Sequence, residues 1–406
     1  MYESEKNIIG CLLQGVGDFA FDVLDKDDFE FSQMAMIFTE LKDTKSKGKP
    51  VDFQKISKLV EISVSDLAQI MTSSITQSLE GSVEQMKNRS AKRKYERIML
   101  TTRDGEIDDI IDDVITELQS INMYRTNKSR NVKEISMDYI DLLSDRKQNL
   151  GKEIKSGLAK MDNVLGGFHK KEVTLIGARP SVGKSAFGLQ IACHAAKTKR
   201  VLFVSLEMAD IQILERMVAR FSGIEHWKLK TGKLERGDWE TVTQAMDYAN
   251  ELKLSIDTTI RTIGQLRTKI LSDRPELVIV DYIGLMSDNS KKFKDKREEM
   301  SSITHKLKAT ALDYDVPIIA LAQLGRDSQE RKPNLSSLRD SGSLEEDADN
   351  VIFLHRLNDA DKENFVSLTS GNLQPMLIMI EKQRNGECLW IKAGFNGSKF
   401  QFMEME

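Results

Sequence analysis

The sequence predicts an α/β fold, a mostly parallel sheet with helices on both faces, preceded by a small all-α domain. Three observations carry this expectation. The octapeptide Ala178-Arg179-Pro180-Ser181-Val182-Gly183-Lys184-Ser185 lies between the apolar run Val173 to Ile176 and the helix-forming stretch Ala186 to Ala196. From residue 151 onward, short β-branched runs recur between helical segments. From about residue 4 to residue 100, apolar residues recur at helical spacing instead.

In that first region Ile8, Ile9, Leu12 and Leu13, then Met34, Ile37, Phe38 and Leu41, mark helix faces, with a break at Lys47-Gly48-Lys49-Pro50. Between Arg103 and Ile121, Ile107, Ile110, Ile111, Val114, Ile115 and Leu118 share one stripe. The interleaved Asp104, Glu106, Asp108, Asp109, Asp112 and Asp113 read as a solvated face rather than a metal site. The polar stretch 122–132 reads as a linker. Glu134 to Asp145 then forms a short amphipathic helix carrying Ile135, Tyr139, Leu142 and Leu143 outside either domain. So short a helix needs a partner surface, and the surface expected is a neighbouring copy of the chain. The expected organisation is a helical N-terminal domain at 1–121, a linker with a docking helix at 122–150, and an ATPase core at 151–406.

In the core, Val173 to Ile176, Val201 to Val204, Leu277 to Val280, Val316 to Leu321, Val351 to Leu354 and Leu377 to Ile380 are near-continuous apolar runs. Runs of this kind suit strands buried on both faces of a parallel sheet. Ligands of such sheets bind at the carboxyl ends of the strands, so the residues just after each run are the candidates for chemistry.

The octapeptide is a P-loop in composition and context. Its backbone N–H groups and the helix N-terminus face phosphate oxygens, Lys184 reaches the terminal phosphates, and the Ser185 hydroxyl takes a Mg²⁺ position. Ala178 through Ser185 are therefore the expected ATP-binding residues, with Mg²⁺ as companion ion. Glu207 follows the second strand and should lie near Lys184, where a carboxylate polarises the attacking water. Asp281 ends four apolar residues, as a Walker B strand presents its acid to the Mg²⁺ shell. Gln323 closes the run Ile318 to Ala322, and a neutral amide there senses the γ-phosphate.

Two segments leave carboxyl ends of strands with basic side chains. Ser287 to Glu299 includes Arg297, and Gly325 to Asp340 carries Arg326, Arg331, Lys332 and Arg339 with Gly342 just beyond. In a ring of subunits they would point into a channel and hold the backbone of single-stranded DNA. Lys382 and Arg384 flank Gln383 ahead of Asn385-Gly386, a hairpin signal. Two cations projected together from a hairpin suit an arginine finger and its companion, acting on a nucleotide held by the adjacent subunit.

Bulk properties narrow the class. The chain has 406 residues, enough for two domains, and a net charge of −4, so any nucleic-acid contact must be local. No stretch approaches a membrane span and the N-terminus lacks signal-peptide order, which makes cytoplasm the expected compartment. Cys11, Cys193 and Cys388 form no CxxC pair, and His169, His194, His226, His305 and His355 have no metal-ligand spacing.

With these residues in view, the chain resembles the replicative hexameric DNA helicases of the DnaB family, whose motor is a RecA-type ATPase. The resemblance rests on Ser156 to Asp162 with Leu165-Gly166-Gly167, on Gly177 to Ser185, and on Ser205-Leu206-Glu207-Met208. It extends to Leu338 to Gly342 with Glu346 to Asp349, to Lys382 to Gly386, and, in the N-terminal part, to Glu5 to Leu13, Asp27 to Phe29 and Gly48 to Asp52. It implies that Arg216 lies near the nucleotide, that Arg339, Asp340 and Gly342 belong to a DNA-contacting loop, and that Lys382 and Arg384 act in trans. It further implies a homohexameric ring, 5′-to-3′ movement on single-stranded DNA, and a primase and a helicase loader as partners. Asp340 stands where many members have Glu, and the chain is short for the family, which is compatible with a phage-encoded member. Two other readings share the P-loop: a RecA-type recombinase-like ATPase that does not unwind, and a loader or switch ATPase. The switch needs neither Glu207 nor Arg384.

Overall fold

The structure is a computed structural model and describes residues 2–101, 114, 118, 132–148, 153–288, 293–325, 332–357 and 373–405. The chain divides into two compact units, Met1–Met137 and Asp138–Glu406.

The first unit is helical, as the apolar spacing predicts: α1 (Tyr2–Leu13), α2 (Phe19–Val23), α3 (Ser32–Ser46), α4 (Phe53–Val60), α5 (Val64–Ser73) and α6 (Leu79–Leu100). Asp52 caps α4 by accepting from the N–H groups of Gln54 and Lys55, and Ser63 caps α5 by accepting from that of Asp66. Ile8, Ile9, Met34, Ile37, Phe38 and Leu67 form the centre of its core. Among the described residues of this unit the Asp28 side chain is completely buried. Asp28 accepts from the Ser90 hydroxyl at 2.7 Å and the Asp25 N–H at 3.0 Å, and pairs with Lys87 at 3.2 Å. The acidic stripe expected between 103 and 121 lies outside the described residues, apart from Val114 and Leu118, which pack against Ala91 and Ile98.

Helix α7 (Val132–Gln148) covers the expected docking helix and runs beyond it at both ends. Ile135, Met137, Tyr139, Ile140, Leu142 and Leu143 are all exposed on it. Among the described residues, no helix is long and apolar enough to cross a membrane.

The second unit is a twisted sheet clothed by helices on both faces. In chain order it comprises α8 (Ala159–Leu165), β1 (Val173–Ala178), α9 (Lys184–Ala195), β2 (Val201–Ser205), α10 (Asp210–Ser222), α11 (His226–Thr231), α12 (Arg236–Asn250) and β3 (Leu254–Asp257). There follow α13 (Ile263–Asp273), β4 (Leu277–Asp281), α14 (Lys296–Asp313), β5 (Ile318–Gln323), α15 (Gly342–Asp347), β6 (Asn350–Arg356), β7 (Leu373–Gln383), β8 (Leu389–Asn396) and β9 (Gln401–Glu404). The strand order is β3-β2-β4-β5-β1-β6-β7-β8-β9. The first six of these pair in parallel, and β7, β8 and β9 add antiparallel.

Side chains alternate between two cores, as period-two geometry requires. Ile176, Phe203, Ile279, Leu321 and Ile352 face the side of α9, where Phe187 and Phe402 pack. Leu175, Val204, Val280, Ala320 and Phe353 face α13 and α14. The six predicted runs are all strands, and three further strands join them. β3 has the half-polar text Leu-Ser-Ile-Asp of a sheet edge, β8 is the return arm of the hairpin announced by Asn385-Gly386, and β9 closes the far edge. The segment 287–299, expected as a loop, is helical from Lys296, because the Asp295 side chain accepts from the Glu298 N–H and starts α14 there. Leu335–Ser341, expected as part of a loop, forms a 3₁₀ turn leading into α15.

Candidate active site

The parallel register lines up the carboxyl ends of four strands. Ala178 of β1 lies beside Gln323 of β5, Leu321 of β5 beside Asp281 of β4, and Asp281 beside Ser205 of β2. The residues that follow converge on one cavity of about 410 Å³, lined by Ala178, Arg179, Pro180, Ser181, Gly183, Lys184, Ser185, Glu207, Arg216 and Gln323 among others. Glu207, Gln323, Arg216 and the phosphate-binding candidates of the P-loop therefore meet in three dimensions although Ala178 and Gln323 are 145 positions apart. Val182 and Asp281 are outside that lining; Val182 packs against the core beneath the loop.

Local geometry explains how each group is presented. Gly183 stands at the N-terminus of α9 with φ of +101°, a conformation that glycine tolerates and other residues do not. A Cβ there would also meet the Phe402 ring at 3.0 Å and the Phe395 ring at 3.1 Å. The glycine thus lets the loop turn and lets two aromatic rings press against it. Ser205 and Met208 exchange hydrogen bonds at 3.0 and 3.1 Å, closing a short turn that leaves Glu207 exposed at its tip.

Lys184 folds back across the sheet to Asp281, 3.4 Å away, and its ammonium stands 4.0 Å above the Tyr282 ring. Burial pushes this ammonium below the ordinary lysine range, while Asp281 and Glu207 pull against that shift. Asp281 is fully buried, and among the described residues its carboxylate oxygens have the Lys184 ion pair but no hydrogen bond. A buried carboxylate so sparsely satisfied has lone pairs left for a further cation or bound water. Together with the Ser185 hydroxyl at the head of α9, it is a donor set that fits a hydrated divalent cation, and Mg²⁺ prefers such oxygen ligands.

The distal wall of the cavity is aromatic and cationic. The Arg216 guanidinium lies 4.8 Å from the Phe400 ring centroid. Burial holds Arg216 below the usual arginine range, opposed by Asp281 and Glu207. Phe395, Gly397 and Phe400 line the same cavity. Local sequence does not point to them, because they sit on β8 and the turn after it, more than two hundred residues from the P-loop. Their only signal is an aromatic-glycine cluster at Phe395 to Phe402, which reads equally well as core.

The description "DnaB-like helicase C terminal domain" matches residues 153–404, and "DnaB-like helicase N terminal domain" matches residues 1–88. The chain belongs to the DnaB-like helicase family. The replicative DNA helicase DnaB of Geobacillus stearothermophilus is 30% identical over 438 aligned residues, covering 100% of this chain and 94% of that protein. The replicative DNA helicase DnaC of Bacillus subtilis is also 30% identical over 438 aligned residues, with the same coverage. Among solved structures, that of a DnaB-like replicative helicase described with its primase interactions superposes with a TM-score of 0.75 at 23% identity, covering 100% of both chains. A second solved structure, an isolated ATPase domain, superposes with a TM-score of 0.61 at 27% identity, covering 69% of this chain and 100% of that one. The chain is thus an ATP-dependent replicative DNA helicase.

In this DnaB-like helicase, Lys382 and Arg384 are not in the P-loop cavity. β7 runs antiparallel to β6, which sets Gln383 opposite Asn350, and Asn350 in turn beside Thr174 at the start of β1. At about 3.3 Å per residue the two cations stand about 13 Å from the carboxyl end of β1 along the strand direction, two strands away and at the opposite edge of the sheet. They are held there by hydrogen bonds. Lys382 Nζ donates to the carbonyl of Glu345 at 2.5 Å, and Arg384 Nη1 to Asp349 Oδ1 at 3.1 Å.

Of the candidate DNA contacts, Arg297 is exposed in the first turn of α14. Arg326 and Arg331 lie outside the described residues. Arg339, Asp340 and Gly342 have a described backbone, in the 3₁₀ turn and at the start of α15, and their side chains lie outside the described set.

Proposed function

We propose that the chain is the subunit of a ring, a homohexamer, that hydrolyses ATP at its subunit interfaces, moves 5′-to-3′ along single-stranded DNA and opens the duplex at a replication fork. One observation carries the reading. The P-loop cavity lies at the carboxyl edge of the sheet, whereas Lys382 and Arg384, the proposed finger and its companion, lie at the amino edge. Neither completes the other within one subunit, so the finger acts on the nucleotide of the next one.

In that site the P-loop N–H groups and Lys184 hold the phosphates, and Glu207 orients and polarises the attacking water. Gln323 stands beside the γ-phosphate position and carries its state into the following segment. Arg216 and Phe400 bound the far end of the nucleotide. Ser185 and Asp281 would hold Mg²⁺, which would neutralise phosphate charge. Arg384, with Lys382, stabilises transition-state charge from the adjacent subunit.

Arg297, Arg326, Arg339, Asp340 and Gly342 are the proposed DNA contacts. Helix α7, whose apolar residues are exposed, is the proposed dock on a neighbouring copy, and loss of residues 134–145 should release subunits in sedimentation. A primase and a loader are the proposed protein partners, in keeping with the structural relative described with primase.

The test is ATP-dependent unwinding of forked duplexes with a single-stranded tail at either the 5′ or the 3′ end, for wild type and Lys184→Ala. Unwinding should require the 5′ tail and vanish in the variant. DNA-stimulated hydrolysis without unwinding on either fork would move the assignment to a recombinase-like ATPase.

A further inference from the structure

We infer that Asp349 is the positioning residue of the trans-acting Arg384, and that it ties this finger to the strand bearing the subunit's own P-loop. The inference rests on the reading of Arg384 as a finger and adds to it a mechanical link between successive ATP sites.

Asp349 lies between α15 and β6 with its side chain buried, and every part of it is engaged. Oδ2 accepts from the Val173 N–H at 2.8 Å and from Lys308 Nζ at 2.6 Å. Oδ1 accepts from Arg384 Nη1 at 3.1 Å. The backbone repeats the pattern, with Asp349 N–H donating to Val173 and Arg384 N–H donating to Asp349, each at 2.9 Å. A buried carboxylate persists only when cations and N–H donors surround it, and here the three donors come from β1, α14 and the β7–β8 hairpin.

The two cations are used differently. Lys308 is mostly buried and serves to neutralise the carboxylate, whereas the Arg384 side chain remains 55% exposed. Asp349 therefore grips one Nη of the guanidinium and leaves the rest displayed at the edge of the sheet. A flexible side chain fixed in this way loses less freedom when it meets a phosphate, which is how a positioning group raises the rate. Lys382 is fixed in parallel, through the carbonyls of Glu345 and Glu346 at the end of α15. The finger is thus referenced to two parts of the fold at once. One is β1, which ends in the subunit's own P-loop, and the other is the helix that follows the proposed DNA-contacting turn.

A residue that merely stapled β1 to β6 would, when lost, damage its own P-loop. A positioning residue damages the neighbour's site and spares its own. Subunit mixing separates these outcomes. Asp349→Ala alone should lower ATPase by about 10- to 100-fold while binding a fluorescent ATP analogue as wild type does. Mixed in equal amounts with inactive Lys184→Ala, it should regain activity, because about a quarter of the interfaces in a head-to-tail ring then join an intact P-loop to an intact finger. The control pairs Arg384→Ala with Lys184→Ala. Recovery in the control without recovery for Asp349→Ala overturns the positioning role and leaves the finger standing; no recovery in either overturns the finger itself. If Asp349→Ala does not fold, Asp349→Asn takes its place in the same mixtures. It keeps one acceptor oxygen for its three donors, and should fall between wild type and Arg384→Ala in rate and recover on mixing; wild-type ATPase in Asp349→Asn would also overturn the assignment.

Discussion

Gln190 is the residue through which the P-loop helix and the last strand of the sheet depend on each other, and Gln190→Leu should expose that dependence. The β9 strand has β8 on one side and no strand on the other. On its open side the Gln190 amide substitutes for one, with Nε2 donating to the Phe402 carbonyl at 3.0 Å and Oε1 accepting from the Phe402 N–H at 2.8 Å. The same oxygen accepts from Arg220 Nη1 at 2.6 Å. Leucine keeps the approximate volume and removes all three bonds. Each orphaned backbone group of the buried Phe402 costs about 1–3 kcal/mol, and the bond to a charged donor contributes a similar amount. Arg220 keeps its contact with the Phe400 carbonyl at 3.3 Å, and water reaches an edge strand, so the expected loss is about 3–5 kcal/mol. At about 2–4 °C per kcal/mol for a unit of this size, the melting transition of the ATPase unit should fall by about 6–20 °C. Because the Phe402 and Phe395 rings press against Gly183, ATP affinity should fall with it. Calorimetry with and without ATP measures both. A drop below about 2 °C would refute the argument, since the amide would then be replaceable by water.

Three further outcomes follow from the same structure. Glu207→Gln should retain ATP binding and lose hydrolysis by about 100-fold or more, as read in single-turnover measurements. Gly183→Ala combines a φ of +101° with a Cβ 3.0 Å from the Phe402 ring, and should weaken ATP binding by at least about tenfold in equilibrium titration while the N-terminal unit melts as before. Asp28→Asn breaks a buried ion pair and should cost the N-terminal unit about 3–5 kcal/mol in urea denaturation. Burial pushes the Asp28 carboxyl up, but the Asp25 N–H, the Ser90 hydroxyl and Lys87 outweigh it and hold the carboxyl below its ordinary 3.8. Its contribution is therefore present above pH about 4 and lost as pH falls through the lowered value, so wild type and variant should converge in strong acid.

The parts of the site legible in the sequence are those whose signal is contiguous. The P-loop is a single octapeptide, and Glu207, Asp281 and Gln323 each follow an apolar run that announces a strand end. Parallel pairing then carries all three to the same edge without further information. What escaped is set by register and by distant packing. Phe395 and Phe400 look like core aromatics until β8 and the turn after it bring them into the wall of the nucleotide cavity. Asp349 is one acid among Glu346, Asp347 and Asp349, and only the start of β6 beside β1 decides that it turns inward to Val173. The β3 strand escaped because an edge strand is half polar, and Ser255 and Asp257 break the apolar run that marks the buried strands.

If Lys382 and Arg384 complete the site of a neighbouring subunit, as proposed, their placement also constrains how subunits associate. A two-fold dimer apposes the same patch on both partners, so it would bring P-loop edge to P-loop edge or finger edge to finger edge and complete nothing. Only a head-to-tail contact sets the amino edge of one sheet against the carboxyl edge of the next. Such a contact leaves one unsatisfied half-site at each end of any open chain of subunits, and closing the ring removes both. On this reading ring closure completes one further catalytic site in addition to enclosing the DNA. In the proposed ring each nucleotide would touch two subunits, and through Asp349 each proposed finger would be anchored on β1, the strand that ends in the subunit's own P-loop. An event at one P-loop would in that way be carried into the site next to it, which would give a ring a direction that a set of independent ATPases would lack.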